Sequence, residues 1–158
     1  MIPVELKKVA DAFDGLMDET HAYINRKTGE TYGFSDEEIR MVDEVEEKGE
    51  AALKDSPPWQ REVVTKAREV LGSEDWLELP SKFDFDEYRV MEAFCLGVED
   101  EALRVELLDV IRGSGAFRRF KDAVQRRGVA EKWYGYRQRR IEEFIAEWLE
   151  ANAIKFTK

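Results

Sequence analysis

The stretch His21-Ala-Tyr-Ile-Asn-Arg-Lys-Thr-Gly-Glu-Thr-Tyr-Gly-Phe-Ser35 decides the fold. The β-formers Tyr23 and Ile24 run into Thr28-Gly29, and Thr31, Tyr32 and Phe34 resume the pattern beyond it. Gly29 supplies the positive φ that a tight turn requires, so 21–34 is read as a β-hairpin. A lone hairpin is marginal in water, so it needs a helix to pack on or a third strand. Trp76-Leu77-Glu78-Leu79, stopped by Pro80, is the expected third strand at 76–79.

Outward from the hairpin the apolar period becomes helical. Upstream, Val4, Leu6, Val9, Ala12, Phe13 and Leu16 predict an amphipathic helix over 3–17. Downstream, Ser35-Asp-Glu-Glu38 is a capping box opening a helix to about Leu53. Ser56-Pro57-Pro58 starts another, with Trp59, Val63, Ala67 and Val70 on its expected core face and Gly72 ending it. Asp84 with Glu87 is the expected cap of Tyr88–Gly97, whose core face reads Tyr88, Met91 and Cys95, with Phe94 beside it. A helix over Glu99–Ile111 and another over Ala116–Arg127 follow, joined by Gly113-Ser-Gly115; the last spans about 130–153. Phe117, Phe120, Ile141, Phe144 and Trp148 are expected to be buried together. The expected fold is α+β and mainly helical. A small N-terminal sheet and helix pack on a C-terminal helical bundle, in a single domain 1–158 with halves at 1–80 and 81–158. No period of 20–50 residues recurs, which excludes a solenoid.

Composition narrows the chemistry. The chain has 158 residues, 43% hydrophobic, 38% charged, with net charge −10. That hydrophobic share excludes a disordered acidic tail. The single cysteine, Cys95, excludes an intrachain disulfide and a multi-cysteine zinc site, and the single histidine, His21, excludes an HExxH metalloprotease. The first twenty residues are too charged for a signal core, and the longest apolar run is far shorter than the roughly twenty residues of a spanning helix. A cytoplasmic protein without membrane contact is expected.

Charge is unevenly placed. Residues 1–111 carry thirteen basic and twenty-nine acidic side chains, net −16, whereas 112–140 carry ten basic against Asp122 and Glu131, net +8. Within that block, Arg112-Gly113-Ser114-Gly115-Ala-Phe-Arg118-Arg119-Phe-Lys121 sets glycines and a serine ahead of a helix N-terminus, where free N–H groups and the dipole favour an anion. Arg112, Arg118, Arg119 and Lys121, helped by Arg137, are the candidate polyanion ligands. No Gly-Lys-Ser/Thr closes the segment, so it is not a P-loop. The simpler reading of the same residues is structural: Gly113 ends one helix and Ser114 caps the next. Trp133, Tyr134 and Tyr136 interleave with further arginines, as on surfaces where bases stack on rings. Against this, Trp133 and Tyr136 fall on the extrapolated core stripe, and Arg139 is positioned to pair with Glu143.

Other constellations are thinner. Asp84, Asp86 and Glu87 suit capping better than metal or acid–base work. His21 beside Asp18 and Glu19 reads as a solvated histidine at the start of a strand. Cys95 lies on a core face and is expected to be inert. No Gly-x-Ser-x-Gly elbow is present. No catalytic residue, metal ligand or cofactor is assigned.

The segments Asp86-Glu-Tyr-Arg-Val-Met-Glu-Ala-Phe94, Ile111-Arg-Gly-Ser-Gly-Ala-Phe-Arg-Arg-Phe-Lys-Asp122 and Trp133-Tyr134 with Trp148-Leu-Glu-Ala-Asn-Ala-Ile154 resemble the uncharacterised protein family UPF0158. The likeness is strongest in the C-terminal half and looser through the hairpin and Leu79-Pro80. It implies a soluble bacterial protein and brings no activity, cofactor or catalytic residue with it. The residues themselves point first to a non-enzymatic binding or regulatory module whose 112–140 surface takes nucleic acid or another polyanion. The alternative is a protein-interaction module working through acidic helices such as Asp36–Glu50. A weaker alternative is a metal-dependent hydrolase or nuclease built on Asp84–Glu87.

Overall fold

The structure, a computed structural model, describes residues 3–158. The chain divides into two compact units: residues up to Ser81 together with Trp148–Lys158, and Lys82–Glu147. The fold is α+β and mainly helical.

In the first unit the hairpin forms as β2 (Thr20–Asn25) and β3 (Thr31–Ser35), after a two-residue strand β1 (Val4–Glu5) and helix α1 (Leu6–Asp14). β2 is central, antiparallel both to β3 and to β4 (Trp76–Glu78), with Tyr23 opposite Tyr32 on one side and Glu78 on the other. The turn closes because Asn25 Oδ1 accepts from the N–H groups of Lys27 and Thr28, while Gly29 takes φ +78°. Ala22, Tyr23 and Ile24 are all buried, so β2 is covered on both faces and shows no polar alternation. Its Tyr23 face packs with Phe34 and Trp76 against α2 (Asp36–Lys48) and α3 (Pro58–Leu71), through Val42, Val45, Val64, Ala67 and Val70.

The capping box forms as read: Ser35 Oγ accepts from Glu38 N, and Glu38 Oε1 from Ser35 N. Gly49 ends α2, and Glu50–Leu53 is a separate 3₁₀ turn. Trp59 is corrected from core to surface, 65% exposed, because the buried stripe of α3 runs 64, 67, 70 and passes it by. The N-terminal helix starts at Leu6 and not at 3, since Val4 and Glu5 pair in parallel with β5 (Phe156–Thr157). Strands are therefore not confined to the N-terminal part of the chain. Two-residue strands leave no periodicity to read.

The second unit holds α4 (Lys82–Phe85), α5 (Glu87–Leu96), α6 (Glu101–Val110), α7 (Ala116–Arg126) and α8 (Ala130–Ala151), the last of which runs on into the first unit from Trp148. The cap of α5 is Asp86, whose carboxylate accepts from Arg89 N; Asp84 does not serve as read. In α7 the buried residues are Ala116, Phe120, Ala123 and Val124. Phe117 lies at the edge of that stripe and is 51% exposed, a correction to its expected burial. The expected five-residue cluster is replaced by rings from α5, α7 and α8: Phe120 packs edge-on to Trp133 at 4.9 Å and Phe94 at 6.1 Å. In α8 Ile141, Ile145 and Leu149 are fully buried, while Phe144 and Trp148 are half-buried. Among the described residues no helix is long and apolar enough to cross a membrane.

Candidate polyanion-binding surface

The segment between α6 and α7 is a turn in which Gly113 and Gly115 adopt φ +73° and +77°. Gly115, in the left-handed region, occupies the N-cap position of α7, and Ser114 makes no side-chain cap, contrary to its expected role. A side chain from the following helix holds the turn together. Arg119 Nε donates to Val110 O at 2.9 Å and its Nη1 to Ser114 O at 2.5 Å, while Nη2 donates to Arg112 O. The guanidinium thereby satisfies carbonyl acceptors at and beyond the end of α6 that would otherwise need water. They carry no formal charge, so the guanidinium keeps its positive charge, and two of its five N–H groups are left over.

The candidate ligands fall into distinct environments. Arg118 and Lys121 are exposed and, like Arg112, form no side-chain hydrogen bond or ion pair among the described residues. Arg112 lies along α6, beside Glu106 and Asp109. Arg137 is different: its Nε donates to Glu87, and it is largely covered. Gly113, Ser114 and Gly115 are all exposed. The structure thus sets Arg118, Arg119 and Lys121 along the first half of α7, after the two glycines, and ties Arg137 to an acidic partner.

Sequence reading missed the rings at this site. Tyr88, expected in the core, is 38% exposed; its hydroxyl donates to Ile111 O at 2.9 Å and fixes the end of α6 from α5. Its ring stands edge-on to Phe117 at 6.3 Å. Phe117 therefore presents an open ring beside Arg118 and one helical turn before Lys121. The signal was present in the buried alanines at 116 and 123, which define the stripe as well as the larger residues do.

Two further arginines of the basic block are committed. Arg127 forms a two-point pair with Glu106, both bonds 2.7 Å, which holds that carboxyl below and that guanidinium above their usual ranges. Glu143 pairs with Arg140 at 3.9 Å, and Arg139 does not take it as expected. Arg140 also lies over the Tyr136 ring and donates to its hydroxyl at 2.6 Å.

The acidic run at 84–87 does not converge: Asp86 caps α5 and Glu87 meets Arg137. Among the described residues no three His, Cys, Asp or Glu side chains are placed to hold a metal ion. In the first unit His21 is not the loosely solvated residue read beside Asp18 and Glu19. Its ring nitrogens face Asp36 and Glu78, contributed by α2 and β4. Among the described residues no hydroxyl or thiol is hydrogen-bonded to that imidazole. Cys95 is fully buried, and burial pushes its thiol up to about 11.

The chain belongs to the uncharacterised protein family UPF0158, whose family model matches residues 1–158. Comparison with curated proteins and with solved structures gave no match.

Proposed function

We propose that this UPF0158 member is a non-enzymatic binding module that takes single-stranded nucleic acid at the 112–121 turn. The observation that carries the reading is Arg119, held by three backbone carbonyls with its charge uncancelled; Phe117, two residues earlier in the same helix, keeps an exposed ring. A guanidinium fixed in advance loses little freedom on meeting a phosphate. Arg118 and Lys121 add mobile cations, and the N-terminus of α7 adds dipole and free N–H groups. Phe117 supplies a face on which a base stacks. A duplex fits less well, since its bases are already stacked.

The binding is expected to be weak, because the chain as a whole carries −10 and repels a polyanion at low salt. Fluorescence anisotropy with a labelled oligo-U strand, titrated at several salt concentrations, tests it. Log K should fall with log salt by about 0.7 per neutralised phosphate. Arg118→Ala and Lys121→Ala should each flatten that slope by up to about 0.7. Phe117→Ala should cost ~1–3 kcal/mol of binding with the slope unchanged. No binding at low salt, or binding indifferent to all three replacements, rejects the proposal.

A further inference from the structure

A second feature of the Lys82–Glu147 unit lies away from the glycine turn. The end of α5, the segment leading into α6 and the first half of α8 enclose a groove of about 740 Å³, within the range of small-molecule sites. Phe94, Leu103 and Val129 give it an apolar floor. Gly135 forms part of the α8 wall, in the interior of a 22-residue helix. Glycine weakens a helix interior, and here packing gives no reason for it, since a Cβ at Gly135 would meet nothing within 4 Å. The missing side chain instead leaves a bare strip of helix against which a flat group can lie.

Charges of both signs line this groove. Glu131 and Lys132 stand in the first turn of α8 and Arg139 two turns further on, while Glu99 and Asp100 line the groove from the segment leading into α6. Eight residues of helix separate Glu131 from Arg139, about 12 Å, comparable to the span of a nucleoside monophosphate from base edge to phosphate. Among the described residues Arg139 has no ion-pair partner, since Glu143 is taken by Arg140.

We infer that this groove binds a mononucleotide whose base carries an exocyclic amino group. The phosphate meets Arg139, the base lies along Gly135, and the amino group donates to Glu131, about 12 Å away along α8. Carboxylates accept from the cytosine amino group in this way, whereas uracil would turn a carbonyl toward them. The inference is independent of the proposed strand-binding turn, because the two sites share no residue.

Calorimetric titration of the full chain with CMP, UMP and inorganic phosphate tests it. CMP should bind at least tenfold more tightly than UMP, and phosphate alone more weakly than either. Gly135→Leu should abolish CMP binding while keeping or raising the thermal midpoint, since leucine is the better helix former and space is open. Arg139→Gln should weaken CMP binding at least tenfold, and Arg118→Ala should leave it unchanged. No heat with CMP at millimolar concentration overturns the inference, as does equal affinity for UMP. Full binding by a folded Gly135→Leu variant, or a dimer of the parent chain that this variant dissolves, overturns it as well.

Discussion

His21 and Asp36 meet at 2.5 Å, Nε2 to Oδ1, while the other ring nitrogen of His21 stands 3.1 Å from Glu78. One imidazole thus joins the central strand to the first residue of α2 and the last of β4. Only the imidazolium donates to both carboxylates; a neutral ring turns a lone pair toward one of them. The hydrogen bond to Asp36 is the chief cause of its raised pKa, with Glu78 adding to it and burial opposing. The stabilisation is therefore complete below the unfolded value near 6.5 and is lost as pH rises through the higher folded value. Urea midpoints between pH 5.5 and 8.5 should fall toward the alkaline end, and His21→Gln should flatten that fall. An unchanged pH profile in the variant would show that the pair contributes nothing.

Phe120 and Phe117 offer a paired test of the α7 stripe. Phe120 is 2% exposed among Phe94 and Trp133, and Phe117 is 51% exposed. Phe120→Ala should cost ~3–5 kcal/mol, whereas Phe117→Ala should stay within about 0.5 kcal/mol. Denaturant midpoints distinguish the two, and similar losses for both would place the stripe wrongly.

Cys95 should be inert in the folded chain. It is fully buried, and desolvation raises its thiol to about 11, so almost no thiolate forms near neutrality. Labelling by a thiol reagent should be slow in buffer and fast in denaturant. Rapid stoichiometric labelling of native protein would contradict the burial.

How much was legible follows from the length scale of each signal. The hairpin, the third strand and the Ser35 box are written locally, in turn residues and caps within a few positions of one another. Helical stripes were legible to within one residue, and that one residue misplaced Phe117 and Trp59. The partners of His21 lie 15 and 57 residues away, and β5 pairs with β1 across the whole chain. No local pattern encodes such contacts. The candidate turn was visible as composition, but the distinction between Arg119 on carbonyls and Arg137 on Glu87 depends on tertiary placement.

The last prediction separates the two neighbouring arginines of that turn. Arg119 spends three donors on the carbonyls of Val110, Arg112 and Ser114, whereas Arg118 touches no partner among the described residues. A lysine at 119 keeps the charge but presents one compact ammonium in place of a planar fork. It cannot reach three carbonyls that converge from both sides of the turn, so at least one loses its protein partner. Each such bond contributes about 1.5–3 kcal/mol when the donor is charged, less whatever water restores at this exposed site. Arg119→Lys should therefore cost ~1–3 kcal/mol, and Arg118→Ala should fall within about 0.5 kcal/mol. Amide hydrogen exchange should locate the loss, with faster exchange in the first turn of α7 and the last of α6 and no change in the hairpin. If Arg119→Lys is as stable as the parent, the guanidinium does not hold the turn, and the preorganised charge on which the strand-binding proposal rests is lost with it.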